Sequence, residues 1–290
     1  MGHSRDIRIR IKSVKKTAQI TRAMQLVAAS KMRRAQDQAL RGRPYAELMA
    51  KGLAVLSPRV RSFQHTFLVK RTVEHRGVLL ISSDKGLCGS LNSILFRRAV
   101  DIEPSARFVA IGRKGAQFLK GSKHELLAEF RVGDRGTFVA IRPVVEFLIK
   151  AFEQGRIDTV EVLYPHFINT LMQKPVLTPL LPLDGLKAFL EASASSSDRQ
   201  PAAEDDREML FEPSPERILD ELLPLYIKMH IFQSVLEAKA SEHSARMVAM
   251  KSATDNANEL IDTLTLDYNK MRQAAITQEI LEISSAGLAV

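Results

Sequence analysis

Residues 222–275 read LLPLYIKMHIFQSVLEAKASEHSARMVAMKSATDNANELIDTLTLDYNKMRQAA. One set of positions in this stretch steps by alternating fours and threes: Leu222, Tyr226, Met229, Gln233, Leu236, Ala240, His243, Met247, Met250, Thr254, Ala257, Ile261, Leu264, Tyr268, Met271 and Ala275. Only Gln233, His243 and Thr254 interrupt its apolar character, and neither Gly nor Pro occurs from Leu225 to Ser285. A seam sustained over that distance is the pattern of one unbroken coiled-coil helix, not of a helix in a globular core. At its standard rise such a helix is roughly 90 Å long. It cannot bury its stripe alone and needs a partner of similar length. Its role is mechanical or scaffolding before it is chemical.

The start of the chain supplies the partner. Ile7, Ile11, Val14, Ala18, Thr21, Gln25, Ala28, Met32, Ala35 and Ala39 fall on one such seam, and Ile20, Met24 and Val27 form a second row expected to widen it. The helix predicted over residues 4–57 has Ser4 as its N-cap, with a bend or local break at Gly42 and Pro44. Its small seam residues allow close approach to the larger ones of the C-terminal helix. The two ends are therefore expected to pair as a long antiparallel coiled coil, with everything between them inserted at one end.

Between the two helices the period changes. Gly77–Ser82 and Arg107–Ile111 are continuous apolar runs of strand length, and Thr159–Tyr164 is another. His124–Arg131 reads as a further strand, and Phe167–Leu183, interrupted by Pro175 and Pro179, as an irregular or edge strand. Helices are expected from Ser90 to Asp101, after Gly112 to Leu119, and from Thr137 to Gln154. Strands alternating with helices predict an inserted Rossmann-like α/β domain around a largely parallel sheet. The organisation read from this is a coiled-coil helix over 1–60, an α/β domain over 75–190, a flexible polar loop over 191–207 and a second coiled-coil helix over 213–290. The loop is too poor in apolar residues to fold. A short strand is expected over 208–212, and Pro224 should kink or restart the last helix.

Composition narrows the function classes. Hydrophobic residues make up 45% of the chain and charged ones 26%, enough for a core without marking the chain as disordered. No apolar run approaches twenty residues, so no transmembrane helix is expected, and the basic N-terminus lacks the apolar block of a secretory signal. The single Cys88 excludes an intramolecular disulfide and points to a reducing compartment, with the cytoplasm as default. Residues 1–62 carry 15 Lys/Arg against Asp6, Asp37 and Glu47, a net +12, so with +9 overall the remainder nets −3. A basic first helix on a mildly acidic body suits a polyanionic or acidic protein partner; a solvated basic face is the plainer reading.

Chemical motifs are sparse. The turn Ser82–Gly89 lies between a strand and a helix, where phosphate loops sit, but it has neither the GxxxxGK[ST] nor the GxGxxG spacing; Gly112 and Gly115 give only GxxG. A tight strand-to-helix turn explains it better. Cys88 at a helix N-terminus has no His near it in sequence, and the seven His form no HxxxH or CxxC pair for a metal. His243 reads as a packing or inter-subunit hydrogen-bonding residue. The basic stretches Arg8–Lys16 and Lys31–Arg34 lack aromatics for stacking bases, so any nucleic-acid binding would be unspecific. Beyond the reach of the first helix, Lys270–Ile283 and the apolar ending Ala286–Val290 suit a tip sheathed by another protein.

Three stretches together resemble one family. Residues 11–32, Ile11 to Met32, resemble the N-terminal helix of the gamma subunits of F-type ATP synthases. Ala240–Met247, Asn256–Thr265 and Arg272–Ile280 resemble their C-terminal helix, and Ser83-Asp-Lys-Gly-Leu-Cys-Gly-Ser-Leu-Asn92 is similar to their internal motif. The resemblance covers essentially the whole chain in the family's order. It implies a central-stalk rotor subunit, coupling ion-driven rotation of the membrane c-ring to conformational change at the beta-subunit catalytic sites. It implies alpha, beta and epsilon subunits and the c-ring as partners, no catalytic residue, cofactor, metal or nucleic acid, and a peripheral place on the cytoplasmic face of a bacterial membrane, held through the c-ring only. Carried over by position, Met24, Lys31 and Arg246 would lie near the beta-subunit contact, Lys85 on a rotor surface facing beta, and Arg272, Gln273, Thr277 and Glu279 in the part gripped inside the alpha–beta ring. The chain departs from the family in its 191–207 loop, longer than the family needs, and in lacking the chloroplast-type dithiol insert. The alternative from another class is a basic coiled-coil nucleic-acid-binding or scaffolding protein. A third is a small dinucleotide-dependent enzyme with helical extensions.

Overall fold

The computed structural model describes residues 2–56, 65–69, 71–134, 136–183 and 214–287. In chain order the elements are α1 (Gly2–Leu56), β1 (Arg76–Ile81), α2 (Leu91–Val100), β2 (Arg107–Ile111), α3 (Arg113–Lys120), β3 (Glu125–Phe130), α4 (Phe138–Glu153), β4 (Thr159–Phe167), β5 (Gln173–Leu181) and α5 (Pro215–Gly287). They fall into two compact units, one of Met1–Ser30 with Arg246–Val290 and one of Lys31–Ala245. The second unit thus takes in the later part of α1 and the earlier part of α5. The polar stretch 191–207 and the short strand expected over 208–212 lie outside the described residues.

The second unit is built on a five-stranded sheet in the order β3-β2-β1-β4-β5. β1 is parallel to β2 and β4, β2 is parallel to β3, and only β5 runs antiparallel, paired to β4. As an edge strand β5 accommodates Pro175 and Pro179, which would remove ladder donors from a central one. Alternation along β1 divides the core. Leu79 and Ile81 join Val109, Ile111, Val160 and Val162 on one face, under Ile141, Val144, Val145, Leu148 and Phe152 of α4. Val78 and Leu80 join Phe108, Ala110 and Leu163 on the other, under Leu95 and Ala99 of α2 and Ala116 and Leu119 of α3. Strands covered on both faces read as unbroken apolar runs, which is why β1 and β2 stand out in the sequence.

α5 covers the first face as well. Its sheet-facing stripe is Leu219, Leu223, Ile227, Ile231 and Val235, offset from the seam predicted for this stretch. Along the predicted seam Leu222, Met229 and Gln233 are only half-buried, while Tyr226, Leu236 and Ala240 are buried. Here α5 is covered on two sides, one by the sheet and the other toward α1, where a Cβ on Gly42 would meet Gln233 Oε1 at 3.5 Å. The expected break at Gly42 and Pro44 and the restart at Pro224 are absent, since both prolines lie inside continuous helices. An internal proline costs about 3 kcal/mol locally. Around Pro224 that cost is offset by the burial of Leu219, Leu223, Tyr226 and Ile227.

The first unit contains the opposite ends of the same two helices. Ala18, Thr21 and Ala28 of α1 and Met250, Thr254, Ala257 and Leu264 of α5 are buried, as the two seams require. Thr21 and Thr254 are joined hydroxyl to hydroxyl at 2.7 Å, and each also bonds a carbonyl of its own helix, Ala18 at 3.0 Å and Met250 at 2.8 Å. Between Thr21 and Gly42 on α1 the partner retreats from Thr254 to Gln233 on α5, so the helices run antiparallel. The second row of α1 does not widen the seam. Ile20, Met24 and Val27 are exposed, because the small residues on the seam bring α5 in along that line alone.

Candidate subunit-contact surface

Burial on α5 fades toward its end. Leu264 is buried, Tyr268 and Met271 are half-buried, and Arg272, Gln273, Ala275, Ile276 and Thr277 are exposed. The cause is the length of the partner, since the seam of α1 begins only at Ile7. Past Met271 the helix carries bare apolar side chains, Ile276, Ile280 and Leu281, among polar ones. The Thr277 hydroxyl donates to the Gln273 carbonyl at 3.0 Å, a bond within the helix that leaves the outward faces unspent. Glu279 continues the helix. Four of the contact residues expected from sequence therefore lie on one end of α5, with Arg272, Gln273 and Thr277 exposed.

Met24 belongs to a second bare surface. With Ile9, Ile20, Leu26 and Val27 it forms an exposed apolar face of α1 interspersed with Lys15, Lys16 and Arg22. Beside it a groove of about 770 Å³ runs between the helices, with Lys15 and Arg22 on the α1 side and Asp255 and Asp262 on the α5 side. Arg246 is half-buried in the same unit.

Lys31 and Lys85 belong to the second unit. Lys31 forms an ion pair with Asp134, between β3 and α4. That bond holds the Asp134 carboxyl below the usual carboxylate range, with partial burial opposing and the charges of Lys31, Lys239 and Lys85 adding. Lys85 is exposed on the turn after β1. The eight expected residues are spread over two units. What sequence reasoning missed is a set of charges among Lys31 and Lys85: Asp84, Asp134, Lys239 and Glu242. Lys239 and Glu242 are each 4% exposed, and the Lys239 ammonium donates to Glu242 at 3.2 Å and lies 3.9 Å from Asp84. Two opposite charges three apart in an otherwise apolar and small-residue run were the available signal.

The turn from Ser82 to Asn92 is spent on the protein itself. Its residues cap α3: Asp84 Oδ1 accepts from the Arg113 N–H at 3.1 Å, the Ser83 carbonyl from Lys114 N–H at 3.1 Å and Ser82 Oγ from Gly115 N–H at 2.8 Å. The Asn92 amide donates to Ser83 Oγ at 2.7 Å and to Cys88 Sγ at 3.3 Å. These N–H groups are the ones a phosphate would need at the start of a helix. In doubly wound sheets the ligand crevice opens where strand order reverses, here between the C-terminal ends of β1 and β4. α5 lies across that place: Lys239 reaches Asp84 after β1, and Glu237 bonds His166 on β4 at 2.6 Å. Burial, with the nearby Glu237 carboxylate adding, pushes the Tyr164 hydroxyl up to about 12, so it is an uncharged donor there. Among the described residues no group of His, Cys, Asp and Glu is arranged to hold a metal ion.

A family model described as ATP synthase matches residues 3–290. The ATP synthase gamma chain of Opitutus terrae is 56% identical over 293 residues, covering 100% of this chain and 99% of its own length. That of Methylacidiphilum infernorum is 45% identical over 296 residues, with 100% of both chains covered. Among solved structures, the rotor of the Euglena gracilis mitochondrial ATP synthase shares the fold, with a TM-score of 0.66 at 20% identity over 95% of this chain and 99% of that one. A central stalk and c-ring structure of the Tetrahymena thermophila enzyme matches with a TM-score of 0.57 at 25% identity, over 81% and 99%. Matches of this extent leave the nucleic-acid-binding alternative without support.

Proposed function

The chain belongs to the gamma-chain family of ATP synthases, and from that premise we propose how it works as the central-stalk rotor. The observation that carries the reading is the end of α5, which runs past its partner helix with Arg272, Gln273, Ile276 and Thr277 exposed. Bare apolar side chains such as Ile276, Ile280 and Leu281 on a helix end suit a surface that another protein covers. Alpha and beta subunits arranged as a ring are the sheath, and Arg272, Gln273, Thr277 and Glu279 are the residues it grips. Met24, Lys31, Arg246 and Lys85 meet beta-subunit segments, whose acidic groups the basic first helix attracts. The two-helix unit is not symmetric about its axis, so each orientation presents a different face to each beta subunit. Rotation driven at the c-ring thereby imposes successive conformations on sites that belong to beta.

The chain itself is non-catalytic in this reading, since the crevice where its sheet would hold a ligand is filled by its own α5. Epsilon and the c-ring join the α/β unit. The protein sits peripherally on the cytoplasmic face of a bacterial membrane, and none of its described helices is long and apolar enough to cross one. The test is reconstitution with alpha and beta subunits from the same organism, followed by isolation of the complex and assay of ATP hydrolysis. One copy per three alpha–beta pairs with restored turnover is the expected result. Absence of a complex under those conditions would overturn the reading.

A further inference from the structure

Among the described residues, four polar ties from α1 and α5 reach the same end of the sheet. Lys31 of α1 pairs with Asp134, which follows β3. Lys239 of α5 faces Asp84, which follows β1. Glu237 of α5 bonds His166 near the end of β4 at 2.6 Å, and the Ser244 hydroxyl of α5 donates to the Thr170 carbonyl just beyond β4 at 2.7 Å. Because β1, β3 and β4 run in one direction in the sheet, their C-terminal ends form one edge.

The apolar stripe from Leu219 to Val235 already holds α5 on the sheet. Hydrophobic contact is non-directional, however: it resists separation but does little to oppose sliding along, or rolling about, the helix axis. Hydrogen bonds such as Lys31–Asp134, His166–Glu237 and Ser244–Thr170 have fixed lengths and directions and do oppose both. The Lys239–Asp84 ion pair at 3.9 Å adds attraction at the same end. The buried Lys239–Glu242 pair lies within α5 and bears on the sheet through Asp84, 3.9 Å from Lys239. Burying an ion pair seldom adds stability over an apolar replacement, and its best-supported use is to specify register.

We propose that these ties are a register clamp which locks α1 and α5 to the sheet against rotation, with Asp134 and Lys239 as its positioning residues. The clamp lets torque pass between the helix pair and the α/β unit without loss, and it rests on the rotor reading above. Without it the helices turn against the sheet under load. ATP is then still hydrolysed, but less of the rotation reaches the far end of the rotor.

The test uses the complete complex in membrane vesicles, reading ions transported per ATP hydrolysed beside complex yield. Asp134→Ala and the triple variant Lys239→Met/Glu242→Gln/Asp84→Asn, which removes the three charges together, are compared with Asp134→Glu, which keeps the charge. The expected result is a ratio lowered by about twofold or more in the first two at unchanged yield, and kept in Asp134→Glu. An unchanged ratio in both disrupted variants overturns the clamp. So does a failure of both to assemble, because the ties would then hold the fold and not the register. If the wild-type complex itself neither assembles nor hydrolyses ATP, the rotor reading falls instead.

Discussion

Gly112 adopts φ 97° between β2 and α3, and a Cβ there would stand 2.2 Å from the Ser82 carbonyl oxygen. That backbone atom cannot move without disturbing the capped start of α3. Gly112→Ala is therefore expected to cost about 2–4 kcal/mol, combining left-handed strain with overpacking, and thermal unfolding of the assembled complex would show the loss. The Thr21–Thr254 pair calls for a double-mutant cycle. Thr254→Val alone removes the bond between the helices and should cost about 1 kcal/mol, the Thr21 hydroxyl keeping its bond to the Ala18 carbonyl at 3.0 Å. Adding Thr21→Val should cost little more. Additive losses in denaturant unfolding would show that the two hydroxyls do not depend on each other. At this scale the sequence was only half legible. Thr254 stood out as a polar interruption of a seam, but its partner lies 233 residues away and no local pattern connects them. Asp84 and Lys239 were hidden for the same reason.

α5 shows what periodicity can and cannot resolve at the scale of an element. One apolar seam was readable from Leu222 to Ala275, and its later part, through Met250, Ala257 and Leu264, is buried as expected. The second stripe, from Leu219 to Val235, escaped because a helix apolar on most sides offers several equivalent rows and the sheet selects one. β1, β2 and the edge strand β5 were legible, since apolar runs and prolines report directly on burial and ladder position. His230 follows from the double covering of α5. Its Nδ1 is buried with no hydrogen-bond partner among the described residues, and burial pushes its pKa below the ordinary 6.5, with Glu237 opposing. On acidification the unfolded chain takes up this proton first. The stability that neutral His230 permits is thus complete above about pH 6.5 and declines as pH falls below it. Melting temperatures should drop between pH 7.5 and roughly 5.5, and His230→Phe should flatten that slope; an equal slope in both proteins would remove His230 as its source.

At the scale of the whole molecule, the exposed apolar residues Ile20, Leu26, Val27, Ile276, Ile280 and Leu281 make the isolated chain sticky. Light scattering of the purified chain should show association that grows with concentration and disappears once alpha and beta subunits are added; a monodisperse monomer at high concentration would contradict this. The bare end of α5 was legible because its seam outruns that of α1. The spread of Met24, Lys31, Lys85 and Arg246 over two compact units was not, since spacing along a chain carries no information about which unit will claim a helix segment. The pairing of Thr21 with Thr254 also sets a timetable for the growing polypeptide. α1 leaves the ribosome well before the part of α5 that covers it. At ordinary synthesis rates the seam of α1 therefore stays uncovered for about 12–47 s, while the sheet can form. Throughout that interval it is a target for chaperones and for the nascent helices of neighbouring ribosomes.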